Sequence, residues 1–131
     1  MTVIILTFLL NSCLSKESSS GSLSFKLDGV EKKFKVEAEE VGGMVEVFGF
    51  LGTSDVPTES IDFLIDPGAT GDVISDFTYS NATDYYYSTS ATSDVTLNNG
   101  KSVKGSFSGA LNPPGGGSSV AVTQGTFSVN Y

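Results

Sequence analysis

Leu23 to Glu39 reads LSFKLDGVEKKFKVEAE, and its period decides the fold class. Leu23, Phe25 and Leu27 alternate with Ser24, Lys26 and Asp28. A period of two is the signature of a strand with one face covered. Asp28-Gly29 follows, a dipeptide suited to the two left-handed residues of a tight hairpin turn. Val30, Phe34, Val36 and Ala38 then alternate with Glu31, Lys33, Lys35, Glu37 and Glu39. The second strand is thus expected to have an apolar face and a charged face in water.

The same period continues to the end of the chain. Gly42-Gly43 breaks the second strand. Val45, Val47, Gly49 and Leu51 then form one face of a third, with Met44, Phe48 and Phe50 on the other. Such a strand should be covered on both sides or line a closed interior. A fourth starts at Pro57-Thr58, with Ile61, Phe63 and Ile65 inward and Ser60 and Asp62 outward, and Pro67-Gly68 turns the chain. Strands are expected over 73–79 and 85–89, across the turn Ser80-Asn81-Ala82-Thr83. Val95 and Leu97 lead into Asn98-Asn99-Gly100, a hairpin signal. Val103, Gly105, Phe107, Gly109 and Leu111 should form the next inward face. The breaker Asn112-Pro113-Pro114-Gly115-Gly116-Gly117 precedes a closing strand with Phe127, Val129 and Tyr131 inward. The expected fold is all-β: an antiparallel meander of about eight to nine strands, closed as a barrel or folded as a two-sheet sandwich. Lys33, Lys35 and Glu37 on one face argue against a barrel facing lipid.

Upstream, the chain has a different character. Thr2 to Leu10 reads TVIILTFLL, too short to span a bilayer and suited to the apolar region of a signal peptide. Leu10-Asn11-Ser12-Cys13 follows, and it resembles the bacterial lipobox: an aliphatic residue at −3, a small residue at −1, then the Cys. That resemblance implies a diacylglyceryl group on the Cys13 thiol, removal of residues 1–12 and acylation of the new amino terminus. Asn11 and a leader start without Lys or Arg depart from the usual pattern. Ser15 to Ser22 reads SKESSSGS, a polar, aperiodic linker that would hold a domain ~15 Å off a membrane. The expected organisation is a leader over 1–12, a lipidated Cys and tether over 13–22, and a β domain over 23–131. Leu14 is not the Asp that retains lipoproteins at the inner membrane in enteric bacteria. The expected location is therefore the outer membrane of a Gram-negative envelope.

Composition removes many chemistries. Among 131 residues, Lys and Arg number 7 against 15 Asp and Glu, for a net charge of −8. Nucleic acid is disfavoured, because phosphate contacts need clustered basic residues. The absence of His removes the Ser-His-Asp arrangement, His-ligated zinc and the usual base near neutral pH. The single Cys excludes an internal disulfide. No Gly-rich phosphate loop joins a strand to a helix. Neither a cofactor nor a metal site is expected.

Two kinds of candidate residue remain. Paired carboxylates could serve glycoside hydrolysis or calcium: Asp62 with Asp66, Asp72 with Asp76, and Asp66 with Asp72 across the turn between them. None matches a named motif. The more suggestive cluster is Tyr85-Tyr86-Tyr87, where Tyr85 and Tyr87 share one strand face. Tyr79 sits across the turn and is grouped with them as a weak ligand-binding set, since Tyr combines ring area with a hydroxyl.

Gly105-Ser106-Phe107-Ser108 and Gly125-Thr126-Phe127-Ser128 form an internal echo. Phe25, Asp28-Gly29 and Phe34 come first, then Glu59-Ser60-Ile61-Asp62-Phe63, then the two echoed segments. This order resembles the small uncharacterised lipoproteins of Bacteroidetes. The resemblance implies a β-rich exported domain and supplies no catalytic residue. The functional expectation is a monomeric, non-enzymatic lipoprotein module, anchored through Cys13, that binds a protein or glycan. The alternatives are a shielding surface protein without a ligand and a hydrolase using an acidic pair.

Overall fold

The computed structural model describes residues 20–88 and 91–131. Within them lie nine strands: β1 (Ser20–Leu27), β2 (Val30–Val41), β3 (Met44–Gly52), β4 (Pro57–Ile65), β5 (Ile74–Ser80), β6 (Tyr85–Tyr87), β7 (Thr92–Asn98), β8 (Ser102–Leu111) and β9 (Val120–Asn130). They form one antiparallel sheet in the order β6-β5-β4-β3-β2-β1-β9-β8-β7. Each strand lies beside its sequence neighbour, except that β1 pairs with β9 and no ladder joins β6 to β7.

The sheet curls around one core. The corner is built by β2, which serves two neighbours end to end. Residues 30–34 pair with β1, and residues 35–41 pair with β3. A strand that changes partner along its length is how a sheet turns a corner without a break. At the outer edges the sheet meets itself at two isolated bridges, Gly71 with Val95 and Tyr87 with Asn112. Each bridge is reciprocal: Gly71 N donates to Val95 O (2.9 Å) and Val95 N to Gly71 O (2.8 Å), while Tyr87 N donates to Asn112 O (3.1 Å) and Asn112 N to Tyr87 O (2.8 Å). One curled sheet answers the choice between barrel and sandwich in favour of the barrel-like form.

Turn chemistry explains the connections. Asp28 and Gly29 both have positive φ (48° and 85°), the hairpin geometry expected for Asp-Gly. The Asp28 carboxylate also accepts from Ala121 N at 2.8 Å, tying this hairpin to the start of β9. Between β7 and β8, the Asn99 side chain accepts from the Lys101 and Ser102 amides at 3.0 and 2.8 Å.

The core is rich in rings. Phe63 stacks on Phe77 at 5.7 Å, and Phe107 lies 5.3 Å from Phe77 and 5.5 Å from Phe63. Phe25 meets Phe34 edge-on at 5.2 Å. The echoed Gly-x-Phe segments account for part of this packing. Gly105 pairs with Phe127, and Phe107 pairs with Gly125. Each Phe ring thus lies over the Gly of the other strand. A Cβ on Gly125 would meet the Phe107 ring at 2.4 Å, and one on Gly105 would meet Phe127 at 3.1 Å.

Three readings are corrected. Ser20 to Ser22, read as tether, belong to β1 and pair with Asn130, Val129 and Ser128. Their composition resembles a linker, yet Gly21 lets the two backbones approach closely: a Cβ there would lie 2.0 Å from the Ser128 carbonyl. Val30, read as inward, is 61% exposed, because it is the first residue of β2 beside the hairpin. The strand expected over 85–89 is β6, Tyr85–Tyr87, and ends before Ser88, while residue 89 lies outside the described residues. Cys13 and the leader lie outside the described residues.

Candidate binding face

The register of β2 to β6 lines up two complete rows on the outer side of the sheet. The first row is Lys35, Phe50, Ser60, Ser80 and Tyr85. The second is Glu37, Phe48, Asp62, Thr78 and Tyr87. Directly paired residues share a face, so all ten side chains stand on one side. Between the rows runs the inward line Gly49, Ile61, Tyr79 and Tyr86.

Aromatic side chains stand at the β6 end of these rows and again on β3, one strand in from Lys35 and Glu37. Tyr85 is 52% exposed and Tyr87 is 40% exposed. Three strands away, Phe48 and Phe50 stack at 5.5 Å with their planes 20° apart. Phe50 is buried although it lies outside the core cluster. This explains the doubly apolar pattern of β3: its inner face feeds the core, and its outer face carries a second, smaller apolar pair.

The floor between the rings is polar. Ser60 and Ser80 share a hydroxyl hydrogen bond of 2.9 Å. The Thr78 hydroxyl donates to the Asp62 carboxylate. Asp62 is half-buried, and loss of solvent, reinforced by Glu46 and Asp76, raises its pKa to about 6. Glu46 comes from β3 and Asp76 from β5, and both stand near enough to Asp62 to disfavour its charge. Asp76 takes a positive φ (51°) at a break in the β4–β5 register, between the Asp62 and Leu64 pairings.

Tyr79 does not join this face. It pairs with Tyr86, both point inward, and their rings lie 5.9 Å apart. Tyr79 is 2% exposed, and its hydroxyl donates to Glu59. Burial and the Glu59 carboxylate hold the phenol protonated well above the ordinary Tyr range. Glu59 in turn lies 3.1 Å from Lys32 Nζ, so the three residues form a chain from β5 through β4 to β2. The structure therefore divides the expected trio: Tyr85 and Tyr87 outside, Tyr79 in the core.

Asp62 with Asp66 and Asp72 with Asp76 are not built as read. Asp66 lies beyond the end of β4, so Asp62 and Asp66 share no strand face. Asp72 precedes β5, and its carboxylate accepts from Ser93 N at 2.9 Å and Ser93 Oγ at 3.1 Å. The loop between them is pinned by the Asn98 amide, which donates to Asp66 O and Ala69 O at 2.9 and 3.0 Å. Among the described residues no group of three or more Cys, Asp and Glu is arranged to hold a metal ion. A shallow groove of about 350 Å³ crosses β7 to β9, lined by residues including Thr92, Asp94, Ser106, Ser108 and Gln124. It offers hydroxyls and one carboxylate but no exposed ring.

Sequence reasoning missed Phe48 and Phe50 as partners of the tyrosines. Their signal was present in the apolar outer face of β3. Comparison with family models, curated proteins and solved structures gave no match.

Proposed function

We propose that the chain is a lipid-anchored, exported, non-enzymatic binding module, held at the outer membrane of a Gram-negative envelope through Cys13. It engages its partner with the outer face of β3 to β6. The observation that carries the binding reading is the register that puts exposed Tyr85 and Tyr87 on one face with Phe48 and Phe50, across a floor of hydroxyls and Asp62. Exposed rings beside polar groups favour recognition, because they bury area at low entropic cost while the hydroxyl keeps a partner. A shielding protein has no need of such a pair.

The anchor rests on Leu10-Asn11-Ser12-Cys13 and the apolar run before it. Seven steps separate Cys13 from Ser20, the first residue of β1, a reach of at most ~25 Å. Attached acyl chains would contribute ~0.8 kcal/mol per buried methylene, enough for stable anchoring. Metabolic labelling with a radiolabelled fatty acid tests this part. Wild-type protein is expected to carry label and to fractionate with membranes, and Cys13→Ala to lose both. Unlabelled wild type, or equal label on Cys13→Ala, would overturn it.

A further inference from the structure

The face described above has a chemical bias that narrows its ligand, given that it is a binding face. Its floor is rich in hydrogen-bond acceptors. Asp62, Glu37, Glu46 and Asp76 stand on or beside it, with the hydroxyls of Ser60, Ser80 and Thr78 between them. The one cation in the two rows, Lys35, lies at the β2 margin and donates to Gly52 O at 3.3 Å. An anionic ligand would meet repulsion there. A ligand rich in neutral donors would find partners.

Its rim is aromatic. Tyr85 and Tyr87 are two residues apart on one strand, so their rings start ~7 Å from each other, and ~14 Å of sheet separates them from β3. Rings in that arrangement suit a ligand with flat apolar faces and hydroxyls around its edge. A pyranose meets both requirements: its C–H face stacks on an aromatic ring, and its hydroxyls donate to carboxylates and serines. A basic peptide would supply donors too, but Lys side chains present no flat face to Tyr85 and Tyr87, and the hydroxyls of Ser60, Ser80 and Thr78 suit a hydroxylated ligand.

We propose that the outer wall of β3 to β6 is a carbohydrate site for a neutral pyranose chain, which stacks on Tyr85 and Tyr87 and donates hydrogen bonds to Asp62 and Ser80. The thinner alternative, the β7–β9 groove, has hydroxyls without a stacking platform.

Affinity electrophoresis of the full-length protein in non-ionic detergent tests this. Native gels contain soluble starch, hydroxyethyl cellulose, galactomannan or arabinoxylan, with polygalacturonate and a poly-Lys peptide as charged probes. Retardation is expected in at least one neutral gel. Tyr85→Ala and Tyr87→Ala should each weaken it about tenfold, and the double variant should abolish it. Tyr85→Phe should restore most of it, and Thr92→Ala should leave it unchanged. Circular dichroism melts report whether the exposed-site variants remain folded. Migration unaltered in every neutral gel, retardation by a charged probe alone, or retardation that survives the double variant would overturn the proposal. Fatty-acid label retained on a chain that ignores every neutral glycan would reject this ligand class and leave the anchored placement standing.

Discussion

Gly125 and Gly105 look equivalent in the sequence and differ in what surrounds them. The three atoms nearest a Cβ on Gly125 all belong to the Phe107 ring, at 2.4 to 2.6 Å, whereas one on Gly105 meets the Asp94 carbonyl at 2.7 Å and the Val95 Cα at 2.9 Å. A ring can be shortened, and a neighbouring backbone cannot. Gly125→Ala is expected to cost about 1–3 kcal/mol by overpacking. Adding Phe107→Leu should recover part of that loss, while no single side-chain change should rescue Gly105→Ala. Urea denaturation of Gly125→Ala, Gly105→Ala and the Gly125→Ala/Phe107→Leu double variant checks the contrast. Asp62 gives a second prediction. Its folded pKa of about 6 exceeds the ordinary carboxylate value of 3.8, so the native state binds the proton more tightly than the unfolded chain. The stability Asp62 contributes is present below about pH 4 and is lost as pH rises through about 6. Asp62→Asn should flatten this part of the stability profile and stabilise the domain near neutral pH by up to ~1 kcal/mol, after discounting for partial exposure. A pH series of denaturation midpoints reads the difference.

At the scale of elements, the chain Tyr79–Glu59–Lys32 ties β5, β4 and β2 together around the corner of the sheet. Tyr79→Phe removes the donor and leaves Glu59 with Lys32 alone. The expected cost is about 1.5–3 kcal/mol, the range for a hydrogen bond to a charged group, again read by urea. The β1–β2 hairpin offers a parallel case. Asp28→Ala loses the carboxylate that accepts from Ala121 N, keeps the backbone bond from its own N to Ala121 O, and leaves a side chain with a Cβ at positive φ, for about 1–2 kcal/mol. Asp28→Asn keeps both an acceptor and tolerance of that φ. The individual strands were legible because one face is buried, which imprints a period of two on Leu23 to Ala38 and on Val103 to Leu111. The turns were legible because Asp28-Gly29 and Asn99-Gly100 have few other uses. Pairing was less so. Tyr79 was grouped with Tyr85 and Tyr87 by proximity across a turn, but the hairpin register sets it opposite Tyr86, and one step of register reverses the face. The junction of β1 with the tether was hidden as well, since Ser and Gly serve a linker and a crowded strand equally.

For the whole molecule, one curled sheet brings residues far apart in sequence onto a common wall. Phe48 and Tyr87 are joined only through Asp62 and Thr78, so their relation depends on three successive registers, one of them interrupted near Asp76. No local pattern encodes that sum, which is why the candidate face emerged half-formed from the sequence as two tyrosines. The change of partner along β2 was hidden for the same reason: a uniform alternation over twelve residues does not say where one neighbour ends and the next begins. The central claim is that β3 to β6 present a binding face on their outer side. Backbone amide and aromatic NMR shifts, followed while a retained neutral oligosaccharide is added, locate the contact residue by residue. The account predicts perturbations concentrated on Phe48, Asp62, Thr78, Ser80, Tyr85 and Tyr87. Perturbations confined to the β7–β9 groove around Thr92, Ser106 and Gln124, or none on β6 at saturation, would contradict it.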